Sequence, residues 1–457
     1  MHTGLRRSAA ATVLALSVSL TAVDGAGAAD APAAAGAPSV GAGPYVDVEY
    51  FPEPTGGGAR TSVPADSPHT QPDGPTGSDS RKRTAAASED GEVVPLAESG
   101  PTADRLDVTI VGDGYTAAEQ DDFLEDARAK WDEVTDIDPY KSYEGLFNVW
   151  AVKAVSEDSG VTGDPTRDVV RNTALGSYFW CGDTERLICV DLDRTKTYAD
   201  RAPATDLVIV VSNSAKYGGA GYSGLAADYG YDGVSTLSSD NDRSTLIAAH
   251  EMAHSIGLLA DEYQYEGYGD YPYPEPAQPN ASTLTADDMA RQRTKWASWL
   301  GETDQSGGVV GTFEGADYYE YGVYRPTENS IMRSLNTDRF NLPGREAMIA
   351  GFYRSANALT PLRNTATRAT RFTRLSVELA DLGPGTGLSR LQLRWYVDGR
   401  EARHARGRTS VLPAALGVPA DRRTHKVTAT VVDTTTAVRS HAVRDLTSNS
   451  ATWTIGR

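Results

Sequence analysis

Leu106 to Val111 alternates apolar and polar side chains with the period of two that lays one face of a strand on a core. Directly after it, Thr116-Ala117-Ala118-Glu119 has the spacing of a capping box, and Phe123, Ala127, Trp131 and Val134 then recur on one face of a helix. A further strand is predicted from Leu146 to Val155, and the apolar run after Asp206, from Leu207 to Val211, reads as a buried strand. Strands and helices in turn predict an α/β fold, a twisted sheet flanked by helices, over residues 96–362. Beyond residue 363 the pattern changes. Leu391 to Val397 and Lys426 to Val432 alternate, and Asp398-Gly399 marks a turn, so residues 363–457 predict a small all-β sandwich of immunoglobulin-like type.

Two stretches precede the globular pattern. Arg6-Arg7, an apolar run from Ala9 to Val23 and then Ala26-Gly27-Ala28 have the layout of a secretory signal peptide over residues 1–28, with an apolar run too short for a membrane span. The expectation is an exported, extracellular protein with no stable membrane insertion. Residues 29–95 are rich in Ala, Pro, Gly, Ser and Asp, and predict a low-complexity linker or pro-segment, because so few large apolar side chains do not offset chain entropy. Tyr45 to Tyr50 is the one stretch there with strand-like alternation, and Arg81-Lys82-Arg83 is either a processing site or a solvated charge cluster. The two cysteines, Cys181 and Cys189, predict one disulfide in an oxidising compartment.

The chain carries a net charge of −19, yet residues 363–457 hold 16 Lys and Arg against 7 Asp and Glu. Such a basic module can associate with an anionic cell wall or dock on the acidic remainder of the chain. No recognised motif points to nucleic acid.

Chemistry concentrates at His250-Glu251-Met252-Ala253-His254. Leu246, Ile247 and Met252 or Ala253 fall at helical spacing around it, with Asp240, Asn241 and Asp242 as capping residues upstream. Two histidines four apart project from one helix face, so both imidazoles reach a single Zn²⁺ while Glu251 stands beside the metal's open side. In that position Glu251 is the candidate general base. Catalytic zinc usually keeps three protein ligands and one water. The metzincin pattern puts the third ten residues after the first histidine, where this chain has Ala260; Asp261 follows one step later and Glu262 two. Asp261 is the preferred third ligand, with Glu262 its rival and a carboxylate on a later helix, as in thermolysin-like enzymes, the remaining choice. Gly257 is read as the left-handed residue that ends the helix and turns the chain back toward the metal. Downstream, residues 263–276 set tyrosines and prolines among Glu266, Asp270 and Glu275, which reads as a structured loop, a cleft rim or a Ca²⁺ loop with irregularly spaced oxygens.

His250 to Tyr263 resembles the zinc signature of the IgA metallopeptidase family of zincins, which are metzincin-like zinc peptidases. Further stretches carry the same resemblance in the family's order: Ala103 to Asp107, Ile110 to Tyr115, Tyr217 to Gly221, Arg325-Pro326 and Ser330-Ile331-Met332. The similarity spans residues 96 to 360. It implies a zincin-like catalytic domain, with Met332 as the methionine packed beneath the zinc-binding histidines. Some metzincins carry a tyrosine two residues after that methionine; this chain has Ser334, which leaves Tyr321, Tyr324 or Arg325 to supply a transition-state hydrogen bond. The resemblance also implies that Tyr217 to Gly233 offers a sheet edge to an extended peptide, the alternative being a mobile loop. The function expected is a secreted zinc endopeptidase acting on protein or peptide substrates. Its competitors are a zinc amidase acting on wall peptides, and a non-catalytic adhesion or binding protein on a zincin scaffold, whose mark would be a lost ligand or glutamate.

Overall fold

The computed structural model describes residues 45–68, 89–383 and 390–456. The expected signal peptide and Arg81-Lys82-Arg83 lie outside the described residues. Eight strands form one mixed sheet in the order β2-β1-β7-β8-β6-β4-β5-β3. Its strands are β1 (Tyr45–Tyr50), β2 (Ala59–Pro64), β3 (Val93–Glu98), β4 (Leu106–Asp113), β5 (Phe147–Val152), β6 (Leu207–Ser212), β7 (Gly219–Ser223) and β8 (Gly233–Ser238). The central β4, β5, β6 and β8 run parallel, whereas β7, β1, β2 and β3 each pair antiparallel with a neighbour.

Both faces of the central strands are covered, as parallel sheets require. On one face Val108, Ile110, Ile209 and Val211 meet α1 (Gln120–Thr135), whose Phe123, Ala127, Trp131 and Val134 are all buried as the helical spacing predicts. The capping box is realised in part: Glu119 reaches back to the Thr116 backbone N–H at 2.8 Å, while the Thr116 hydroxyl donates to the same carboxylate. On the other face Val111, Val208, Val210 and Val234 pack with α2 (Leu192–Ala199) and the loop closed by the Cys181–Cys189 disulfide.

Residues 45–68 depart from the linker expected of them. The hairpin of β1 and β2 joins the main sheet, with Val48, Phe51 and Val63 each 1% exposed. Composition misleads here because Val46, Val48 and Tyr50 pack on the sheet core, and of the two acids that line a cleft beside them Glu49 is buried while Asp47 stays exposed.

The helix after β8 is α3 (Ser244–Gly257), which packs against β7, β8 and α4 (Leu342–Ser355). Two local expectations fail at its ends. Arg243 is the N-cap with no side-chain cap bond, Asn241 instead accepting from the Arg243 N–H. At the other end Leu258, not Gly257, takes the left-handed conformation (φ 53°). Glycine is needed at 257 for space, since a Cβ there would meet Met348 Sδ at 2.7 Å.

Past α4 the chain forms two small antiparallel sheets, three-stranded and four-stranded. Asp398 and Gly399 form the tight turn between two strands, both at positive φ (48° and 81°), the geometry of a type I′ hairpin. These sheets share one continuous apolar core with α1, α3 and α4. Arg439 binds Glu302 at 2.9 Å and lies over the Trp299 ring, so at this point the basic segment docks on the acidic one. Among the described residues no helix is long and apolar enough to cross a membrane.

Candidate metal centre

Helix α3 carries His250, Glu251 and His254 in one turn, and the left-handed Leu258 reverses the chain so that Asp261 returns to the same face. The two imidazoles are held by backbone. His250 Nδ1–H donates to the Ile331 carbonyl at 2.9 Å and His254 Nδ1–H to the Leu259 carbonyl at 2.8 Å. A carbonyl only accepts, so a proton sits on each Nδ1 and each Nε2 is the atom turned inward, available as a ligand when the ring is neutral. The two Nε2 atoms are 3.0 Å apart. Asp261 Oδ1 lies 3.2 and 3.4 Å from them. Four donors complete the group, because Glu49 brings Oε1 to 3.2 Å from His250 Nε2 and Oε2 to 3.4 Å from His254 Nε2.

These spacings fit a cation. A tetrahedral ion with bonds of about 2.0–2.1 Å separates its donor atoms by roughly 3.3 Å. Without an ion, two imidazoles and two carboxylates crowd a buried pocket and need a shared positive charge, from protons or a metal, to offset the burial of the acids. Asp261 Oδ1 and Glu251 Oε1 are buried with no hydrogen-bond partner, so neither is satisfied by the protein alone. Electrostatics agree. Burial opposes charge on His250, yet Glu49 and Asp261 push its pKa up to about 10; His254 is raised for the same reasons. Burial would raise Asp261, but His254 and His250 hold it well below the usual carboxylate range. Glu251 is raised well above its ordinary value, by burial first and by the Glu49 charge next. The cluster therefore draws in positive charge.

Outer contacts orient the donors. Tyr318 OH donates to Asp261 Oδ2, and Tyr263 OH donates to Glu49 Oε1 at 2.6 Å. Tyr318 sits in the turn of a hairpin, β9 (Phe313–Ala316) and β10 (Tyr319–Arg325), with Asp317 and Tyr318 both at positive φ (48° and 73°). That turn docks on the returning chain through Asp317 N–H to the Asp261 carbonyl and Tyr318 N–H to the Tyr263 carbonyl. Beside the cluster a cleft of about 590 Å³ is lined by Glu49, Arg60, Glu251, His254, Asp261 and Tyr318, among others.

The structure thus brings His250, Glu251, His254 and Asp261 together and leaves Glu262 out. Glu262 accepts from Asn280 at 3.0 Å, Ser330 at 2.7 Å and Asn341 at 2.9 Å, which uses its carboxylate as a buried structural acceptor. A ligand from a later helix is also absent among the described residues: Glu346 on α4 is taken up by Trp299 and the N–H groups of Arg439 and Ser440. Met332 is buried, and its neighbour Ile331 holds His250. Tyr321 is exposed and the Arg325 guanidinium is bonded to the Glu314 and Gly315 carbonyls. Neither of these, nor Tyr324, lines the cleft; Tyr318 does. Calcium finds no support, since Glu275 is occupied by Ser282, Thr283 and Lys295. Glu49 and Tyr318 are the residues that sequence reasoning missed. Their one signal was the acid-apolar alternation of Tyr45 to Tyr50.

A family model described as IgA Peptidase M64 matches residues 94–305 and 301–352. The chain belongs to the IgA peptidase M64 family. It is therefore a peptidase, a hydrolase of the metallopeptidase kind, and the M64 region contains His250, Glu251, His254 and Asp261 but begins well after Glu49. Comparison with curated proteins returns no match.

Proposed function

We propose that this chain is an exported zinc endopeptidase in which His250, His254 and Asp261 hold the metal and Glu251 moves the proton. One observation carries the reading: both inward Nε2 atoms and the unpartnered Asp261 Oδ1 gather within 3.0–3.4 Å, next to a buried Glu251 whose Oε1 has no donor. Zinc bound there supplies Lewis acidity to water and to a peptide carbonyl.

The protein's own groups do the rest. The Ile331 and Leu259 carbonyls fix the tautomer and tilt of each imidazole. Tyr318 turns Asp261 so that Oδ1 faces the histidines. Glu251 accepts a proton from the attacking water at Oε1 and returns it to the nitrogen of the leaving amine. Gly221 on β7 makes room for this, because a Cβ there would fall 1.8 Å from Glu251 Oε2. The zincin-like architecture and the signal peptide at residues 1–28 belong to the same reading, as do protein or peptide substrates.

The test is Glu251→Gln. Zinc content, measured on the purified protein, should stay at the wild-type level while hydrolysis of peptides falls by about 10²–10⁴-fold. Wild-type turnover in this variant would remove the mechanism. Product analysis on proteins beside purified wall peptides distinguishes an endopeptidase from an amidase.

A further inference from the structure

Strand β7 packs against α3 beside the metal cluster, and both of its sides are taken, by β8 on one and by β1 on the other. β1 pairs with it antiparallel, Val48 opposite Tyr222 and Glu49 opposite Gly221. Directly opposed residues point to the same face. Glu49 therefore projects where Gly221 has no side chain, onto the face where Glu251 lies, and its carboxylate meets both Nε2 atoms. Phe51, one residue past the strand, packs edge-on against His250 at 4.9 Å. The other three metal-facing donors lie within the region shared with the M64 family; Glu49 lies outside it.

We propose that the hairpin Tyr45–Pro64 is an intramolecular inhibitor, with β1 occupying the peptide-binding edge of β7 and Glu49 closing the fourth position of the metal, so that the enzyme is latent until the hairpin leaves. This rests on the zinc peptidase reading above. A hydrolytic zinc needs one position open to water, and a fourth protein ligand makes the site a closed, structural one. The hairpin is not itself cut, because it reaches the cluster with a side chain while its backbone stays in the sheet ladder. Its strand pairing is mostly its own, since β1 has six paired positions with β2 and two with β7, but its departure also exposes Val48, Phe51 and Val63, which are buried against the rest of the molecule. Departure would free the Tyr263 hydroxyl, now bonded to Glu49, and the Arg60 contact to Tyr318 would go with it.

The experiment uses the full chain loaded with zinc, and Glu49→Ala beside it. Zinc content is measured first, then binding of a fluorescein-labelled peptide hydroxamate by anisotropy, then peptide hydrolysis. The expected result is one zinc in both proteins, with probe affinity and hydrolysis about tenfold or more higher in Glu49→Ala, since a site open in only a fraction of molecules binds more weakly by that fraction. In the unsubstituted chain, saturating probe should strip hydrogen-exchange protection from the amides of residues 45–50, a readout that needs no variant. Loss of zinc in Glu49→Ala would make Glu49 an obligatory ligand and overturn the proposal, as would equal probe affinity in both proteins or unchanged protection of β1. If neither protein takes up zinc, the peptidase reading itself fails, a distinct outcome from zinc-loaded proteins that bind the probe alike.

Discussion

The His-Glu-x-x-His spacing and Asp261 were legible because they are local: one helical turn and one chain reversal bring them together, and each step has a residue-level cause. Glu49 and Tyr318 were not, for the opposite reason. Glu49 stands 201 residues before His250, and Tyr318 stands 57 after Asp261 in a two-residue turn that lacks the Gly or Asn usual at positive φ. An unfavourable turn conformation without glycine points to a task for the side chain it carries. Tyr318 orients Asp261, and partners of that kind typically matter 10–100-fold. Tyr318→Phe should therefore weaken zinc binding by about 10-fold or more in competition with a chelator, with the fold unchanged by circular dichroism. An affinity equal to wild type would leave Tyr318 without an orienting role.

Among the elements, β4, β5, β6 and α1 were legible in the apolar patterns that predicted them, since apolar spacing and burial say the same thing there, whereas β8 was not foreseen. β1 was legible too, as the alternation of Tyr45 to Tyr50. Which of its acids is buried was not, since Asp47 is exposed while Glu49 is buried beside the histidines, and no pattern rule separates the two. The glycines of β7 carry a sharper lesson. A Cβ at Gly219 would meet the Thr236 carbonyl at 2.5 Å and Ile247 at 3.0 Å, so a valine there would disturb the seating of α3 as a whole. Gly221 is the cleaner probe, because its Cβ would meet the Glu251 carboxylate, the end of a movable side chain. Gly221→Ala should keep bound zinc and lower hydrolysis by about 10²-fold or more, through a displaced Glu251. Zinc analysis beside turnover checks it; equal loss of both would mean that the strand, not the glutamate, had moved.

In the whole molecule the C-terminal sheets and the metal-bearing part hold one core. Asp433 ties them: Tyr143 OH donates to it at 2.7 Å and Tyr353 OH at 3.1 Å, both from the metal-bearing part, while the Arg390 and Thr435 N–H groups donate to its other oxygen. Removing that acceptor strands buried donors, each at a cost of about 1–3 kcal/mol. Asp433→Ala should lower unfolding stability by about 3 kcal/mol or more, and tryptophan fluorescence and hydrolytic activity should be lost together in one denaturant transition. Two separated transitions would show that the sheets fold on their own. Sequence alone placed a composition break at residue 363 but carried no sign of this joint, since a buried Asp looks like any other acid.

Glu49 precedes His250 in the chain, and a ribosome extends a polypeptide by roughly 5–20 residues each second. The acidic strand has thus emerged well before the second imidazole is synthesised. On the latency proposed above, the stopper is synthesised before the pocket it closes, so the closed form is within reach of a new chain as soon as its second imidazole is in place.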